Sequence, residues 1–223
     1  MGVLADPALE ERLAALHAQS DTQAAGFGDF FRTRARQETD EAEAVEIRSY
    51  LADKLVALDK DKAEFCHLLI RAMGARRVVE AGTSFGVSTV YLASAVRANV
   101  ERLGGEGAVI ATEYEPEKAA HARGLFADSG LTPWIDLREG DLRETLKEIA
   151  HPVEFVLMDV WIPMVIPALR LITPHMGQGA VIVADNTTEV RTEYAPFFAF
   201  LDEAGFQSVT LPFVGGLEMA VKI

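Results

Sequence analysis

The feature that most constrains the fold is a repeated alternation of short apolar strands with helices, which begins near residue 59. Strands are predicted at residues 77–81, 108–112, 135–139, 155–158 and 180–184. Their nearly all-apolar sequences are typical of strands that are buried on both faces. Helices are predicted between them at about residues 61–73, 87–101, 116–129, 142–149 and 163–173. This alternation favours a parallel sheet that is covered by helices on both sides.

The C-terminal part departs from this alternation. After a helix predicted at residues 192–203, apolar segments at 208–212 and 218–222 flank a turn at residues 214–216. Two strands that are joined so tightly must run antiparallel. The predicted fold class is therefore α/β, with seven strands in a mostly parallel sheet and an antiparallel hairpin at one edge.

The N-terminal part is predicted to be a helical extension, residues 1–58, in front of an α/β domain at residues 59–223. It contains a helix at 6–19, a loop at 20–30 and a helix at 37–58. We expect this extension to cover the mouth of the site and to contribute to a homodimer, since symmetric dimers are the commonest oligomers. The alternative is an extension that packs only on its own domain.

Composition excludes several classes of protein. The net charge of −13 disfavours nucleic acid as a partner, because an acidic surface repels phosphates. A single cysteine, Cys66, can form neither an intrachain disulfide nor a multi-cysteine metal site. No apolar run approaches the ~20 residues that a membrane span needs, and the charged N-terminus is unlike a signal peptide. We therefore expect a cytoplasmic protein that binds a small molecule and not a membrane.

The strongest local motif is VVEAGTSFGVST, residues 78–89, in which a strand ends at Glu80 and a helix begins near Ser88. Gly82 and Gly86 would let the backbone approach a ligand closely, and the helix N-terminus offers free N–H groups. Ligands of open α/β sheets bind at this carboxyl edge. The alternative is a tight turn without a ligand. The spacing also differs from the G-x-G-x-x-G of dinucleotide-binding folds.

Acidic residues follow the next two strands as well. Glu113, at the end of the second strand, could accept hydrogen bonds from both hydroxyls of a ribose, or it could cap the helix that begins at Pro116. Asp141, after the third strand, could bind an adenine amino group or simply cap the following helix.

The fourth and fifth strands end in three side chains that carry oxygen. Asp159 follows the fourth strand, and Asp185 and Asn186 follow the fifth. Oxygen ligands from two adjacent strand ends suit a hard divalent cation such as Mg²⁺. Loop capping is the alternative, because Asn186 and the two threonines after it are plausible turn residues.

Taken together in this order, the motifs resemble a known family. From about residue 59 onward, the chain resembles the metal-dependent catechol and caffeoyl-CoA O-methyltransferases, which have a Rossmann-like fold. The resembling segments are VVEAGTSFGVST, ATEYEPEK, EGD, VLMDVW, GAVIVADN and GLEMAVKI.

The resemblance implies a role for each matching residue. Asp159, Asp185 and Asn186 would bind the divalent cation (Mg²⁺, or else Mn²⁺ or Ca²⁺), and Asp159 and Glu218 would be catalytic. S-adenosylmethionine would be the cofactor, with Glu113 at its ribose and Asp141 near its adenine. The residues implied to bind this cofactor are Glu80, Gly82, Thr83, Ser84, Gly86, Ser88, Glu113, Tyr114, Asp141, Leu142 and Asp159.

One residue departs from the family pattern. Family members carry a lysine, as general base, three residues after the first metal-binding aspartate, and here that residue is Ile162. Either another group accepts the proton, or the metal acidifies the substrate hydroxyl by itself. The expected function is transfer of a methyl group to a hydroxyl of a small, catechol-like molecule. The alternatives are a metal-independent O- or N-methyltransferase and a protein that binds S-adenosylmethionine without turnover.

Overall fold

A seven-stranded sheet forms the centre of the protein in the computed structural model, which describes residues 2–27, 49–188 and 192–223. The strands are β1 (Arg77–Ala81), β2 (Ala108–Glu113), β3 (Ile135–Glu139), β4 (Val153–Met158), β5 (Met176–Asp185), β6 (Phe206–Leu211) and β7 (Leu217–Lys222). Their order across the sheet is β3-β2-β1-β4-β5-β7-β6. Strands β1 to β5 pair in parallel, and β7 is antiparallel to both β5 and β6. The predicted mixed sheet and C-terminal hairpin are confirmed.

Helices cover both faces of this sheet. The described α-helices are α1 (Pro7–Ala24), α2 (Lys60–Met73), α3 (Val87–Leu103), α4 (Pro116–Asp128), α5 (Leu142–Thr145), α6 (Ile162–Ile172) and α7 (Ala195–Glu203). Helices α1 to α4 contribute to one apolar cluster, and α5 to α7 contribute to a second cluster on the opposite face. Within the ranges described, no helix is both long and apolar enough to cross a membrane.

The described part of the N-terminal extension packs on the α/β domain. Leu9 and Leu13 of α1, together with Leu55 and Leu58, are buried in the same cluster as the first sheet face. Asp6 caps α1 by accepting hydrogen bonds from two backbone N–H groups of its first turn. Whether the extension acts as a lid or in a dimer stays a prediction.

Several predicted boundaries were wrong. The predicted loop at 20–30 begins too early, because α1 continues to Ala24. Within this last part of α1, the Ser20 hydroxyl donates a hydrogen bond to the Leu55 carbonyl at 3.0 Å. The predicted helix at 37–58 lies mostly outside the described residues, and residues 52–58 are not helical. Helix α5 stops at Thr145 rather than at residue 149, and α7 starts at Ala195 rather than at residue 192.

Candidate active site

Four acidic residues lie at the carboxyl ends of adjacent strands and on one face of the sheet. Each comes two positions after a residue of the apolar cluster under α2 and α3, and side chains two apart along a strand share a face. The acids are Glu80, Glu113, Asp159 and Asp185, and the residues that precede them by two are Val78, Ala111, Leu157 and Val183. The predicted convergence of these side chains at one edge therefore follows from the strand register.

Glu80 is completely buried and is held by three hydroxyl groups. Ser88 donates to its Oε1 at 2.7 Å, Thr83 donates to its Oε2 at 3.0 Å, and Thr89 also donates to Oε2. Burial raises the pKa of Glu80 to about 7, although the three hydroxyls partly offset this effect. The carboxyl group of Glu80 is therefore anchored at the start of α3 by the hydroxyls of its own turn and helix.

The two glycines of the β1–α3 turn are required by contacts within the protein. A Cβ on Gly82 would lie 1.9 Å from the carbonyl oxygen of Asp159, and its φ of +97° disfavours other residues. A Cβ on Gly86 would lie 2.6 Å from the ring of Phe126. The sequence predicted that these glycines let the backbone approach a ligand. In the structure, the Asp159 carbonyl and the Phe126 ring already occupy the positions that their side chains would take.

A cleft opens between this turn and the segment that precedes α2. It is lined by Leu55, Val56 and Ala57 on one side and by the turn from Gly82 to Ser88 and Asp159 on the other. The hydroxyl of Ser84 is buried without a hydrogen-bond partner, which is costly unless a ligand or water completes it. The cleft thus has an unsatisfied polar group at the carboxyl edge, but its walls leave no room for a molecule of water, so a bound ligand requires them to move apart.

Glu113 contacts the β1–α3 turn, which lines one side of this cleft. Its Oε2 accepts a hydrogen bond from the Ser84 N–H at 2.7 Å, and its Oε1 accepts from the Glu115 N–H at 2.8 Å. Burial raises the pKa of Glu113, and nearby Lys118 lowers it in part. The carboxylate thus fixes the β1–α3 turn, and its proposed contact with a ribose stays a prediction.

Asp141, Leu142 and Tyr114, which were also predicted near the cofactor, are not among the residues that line this cleft. Asp141 caps α5 by accepting from the Arg143 N–H at 2.9 Å, which is the capping role foreseen as its alternative. Hydrogen bonds from Arg143 also lower the pKa of Asp141. Leu142 is buried in the second apolar cluster, and Tyr114 is 49% exposed. Their contacts with a cofactor remain predictions.

Asp159 and Asp185 form an acidic pair at the ends of β4 and β5. Burial, then the charges of Asp185 and Glu80, raise the pKa of Asp159 well above its usual range. Burial also raises the pKa of Asp185. Tyr194, which the sequence did not reveal, donates its hydroxyl to the Asp185 carbonyl at 3.0 Å. The negative charges of both carboxylates raise the pKa of its phenol further, after burial.

Lys62, which the sequence did not reveal either, forms a salt bridge with Asp185 of this pair. Its Nζ lies 2.7 Å from Asp185 Oδ1 and 2.8 Å from Asp59 Oδ2, and its side chain is only 1% exposed. Burial by itself would lower the pKa of Lys62, but the bonds to Asp185 and Asp59 outweigh it and raise the pKa. A buried, charged ammonium therefore sits where a cation was predicted.

The residues present do not fit the predicted metal set as they stand. Asp185 already accepts from an ammonium, and Asn186 is exposed, with a φ of +56°. No group of three His, Cys, Asp or Glu side chains in the described chain is placed to hold a metal ion. The divalent cation stays a prediction from sequence, and no chemical step is derived through it.

The structure does not bring Glu218 to the acidic pair. Glu218 pairs with Ala184 across β5 and β7, while Asp185 pairs with Leu217, so the two acids point to opposite faces. Glu218 is buried and accepts from the Thr210 hydroxyl at 2.5 Å. Its predicted catalytic role receives no support from this placement.

Comparison with known proteins shows which class of protein this site resembles. Residues 79–187 match a family model described as a methyltransferase domain. This range runs from β1, through Glu80, Glu113 and Asp159, to the loop after Asp185. This part of the chain is therefore similar to a methyltransferase domain, and the predicted resemblance to the O-methyltransferases is confirmed.

Two relatives named as catechol O-methyltransferases are similar to part of this chain. A catechol O-methyltransferase of Niastella koreensis is 31% identical over 139 residues, and one of Mycobacterium tuberculosis is 31% identical over 132 residues. Each match covers 59% of this chain but only 58% and 57% of those two proteins.

Solved structures agree on the fold. A cofactor-bound protein from MTB, Rv0187, superposes with a TM-score of 0.67 at 25% identity, over 86% of this chain and 94% of that chain. The O-methyltransferase TomG of Streptomyces achromogenes, solved with SAM, gives a TM-score of 0.65 at 21% identity over 87% and 95% of the two chains.

Proposed function

We propose that this protein is an S-adenosylmethionine-dependent O-methyltransferase that acts on a hydroxyl group of a small aromatic molecule. The observation that carries the proposal is the row of buried acids at the carboxyl edge, beside a cleft with the unsatisfied Ser84 hydroxyl. The names of the catechol O-methyltransferase relatives and the SAM bound to TomG support the cofactor and the reaction.

The cofactor would lie along the strand ends. The anchored Glu80 carboxylate offers a counter-charge for the amino group of the methionine part, and Glu113 offers acceptors for the ribose hydroxyls. The positively charged sulfonium would then face Asp159, which lines the same cleft. Burial of these carboxylates strengthens their attraction for a cationic ligand, because water screens them less.

In the transfer itself, a lone pair of the acceptor oxygen forms a bond to the methyl carbon while the carbon–sulfur bond breaks. The sulfonium becomes a neutral thioether, and the hydroxyl proton must leave the acceptor. Asp159 is the candidate proton acceptor, because it borders the cleft and no described side chain donates a hydrogen bond to its carboxylate. Trp161, 36% exposed and two residues further on, offers a flat apolar surface for an aromatic ring.

The test is transfer of a labelled methyl group from S-adenosylmethionine to a panel of phenols, catechols and amines. We expect label in hydroxyl compounds, and an Asp159→Asn variant should be at least ~100-fold slower, as for loss of a general base. The exposed Asp202→Asn serves as the matched control and should retain full activity. Label found only in amines would favour N-methylation, and binding of the cofactor without any transfer would favour a binding protein.

A further inference from the structure

Lys62 reaches the acidic pair from an element outside the sheet. It lies in the first turn of α2, 123 residues from Asp185 in sequence, and its ammonium is buried between Asp185 and the half-exposed Asp59. Asp59 precedes α2 and does not cap it with its side chain, so that carboxylate is left to hold Lys62. Lys62, Asp59 and Asp185 therefore form an ion-pair network around a buried ammonium rather than an isolated surface salt bridge.

The charges account for this arrangement. Two buried carboxylates at neighbouring strand ends repel each other unless a cation lies between or beside them. Lys62 supplies one positive charge at hydrogen-bond distance from Asp185. A divalent cation bound to the same carboxylate would lie next to this ammonium and would be repelled by it.

From these contacts we propose that the Lys62 ammonium replaces the divalent cation as the counter-charge of Asp159 and Asp185, so that methyl transfer needs no bound metal. This inference rests on the proposed function. Lys62 acts through Asp185 and is therefore a positioning residue.

Metal binding by the full-length protein, without cofactor, tests this inference directly. Mn²⁺ is titrated into the wild type and followed by electron paramagnetic resonance of the free ion. Over the Mn²⁺ range in which the wild type shows no saturable binding, Lys62→Gln should bind one Mn²⁺ with a Kd at least about tenfold below the highest concentration tested, because it exposes two uncompensated carboxylates. Lys60→Gln, on the same helix but exposed, removes the same charge and should behave as the wild type.

Two further variants assign the effect to the pair. Lys62→Arg keeps the positive charge and should not bind Mn²⁺, while Lys62→Gln combined with Asp185→Asn should lose the gained binding. Tight stoichiometric Mn²⁺ binding by the wild type would overturn the inference, even if Lys62→Gln failed to fold. Methyl transfer by the wild type that is abolished by EDTA and restored by Mn²⁺ would overturn it too.

The outcomes separate this inference from the proposed function. A wild type that binds no Mn²⁺, together with a Lys62→Gln variant that does, supports the role of Lys62 even if no methyl acceptor is found. Methyl transfer by a wild type that holds Mn²⁺ on Asp185 supports the proposed function and overturns the role of Lys62.

Discussion

Replacing Glu80 by glutamine should stabilise the cofactor-free protein and weaken its binding of cofactor. The pKa of Glu80 rises from 4.5 to about 7 because the carboxylate is fully buried. Between these two values the folded protein keeps a proton that the unfolded chain has released. The contribution of Glu80 to stability therefore falls as pH rises from 4.5 to 7, by about 1.4 kcal/mol per pH unit, and then levels off.

Glu80→Gln removes this ionisation while retaining the shape of the side chain, and the hydroxyls of Thr83, Ser88 and Thr89 can rotate to suit an amide. The variant should gain up to ~3 kcal/mol in the free energy of unfolding at pH 8 relative to the wild type, and little at pH 4.5. Urea unfolding of both proteins at several pH values measures this difference. If the free energies of unfolding of the two proteins changed with pH by the same amount, the reasoning would be refuted.

Three further predictions follow from the site and the fold. Glu113→Ala should lose ~1.5–3 kcal/mol of affinity for S-adenosylhomocysteine in calorimetry, while the exposed Glu117→Ala should lose none; equal affinities would remove the ribose role. Gly82→Ala should lower the free energy of unfolding in urea by at least ~2 kcal/mol, because its Cβ would collide with the Asp159 carbonyl. Gly124→Ala, on the open face of α4, should raise the free energy of unfolding by ~0.5–1 kcal/mol, because alanine favours a helix more than glycine does. The full-length protein should scatter light as a dimer, and a monomer would refute that expectation.

The sheet could be predicted from the sequence because its central parallel strands are mainly apolar and carry an acidic residue at or just after their carboxyl end. Parallel strands place their carboxyl ends at one edge, so Glu80, Glu113, Asp159 and Asp185 were brought together by topology alone. The chain order of these motifs also predicted the resemblance to methyltransferases that residues 79–187 show.

Other features could not be predicted, because they depend on contacts between residues far apart in sequence. A lysine among the polar residues of KDKAEF gives no local sign that its ammonium is buried against Asp185. Tyr194 likewise reaches Asp185 only through the packing of the segment before α7. Glu218 points to the face of the sheet that its pairing with β5 determines. The spacing of the hairpin in the sequence did not reveal this pairing.

A crystal structure with S-adenosylhomocysteine and a catechol would test the central claim most directly. The account predicts the amino group of the cofactor near Glu80, its ribose at Glu113, and the acceptor hydroxyl beside Asp159, with the Lys62 ammonium still on Asp185. A cofactor bound away from the β1–α3 cleft, or a catechol held by a metal ion on Asp185 with Lys62 displaced, would contradict it.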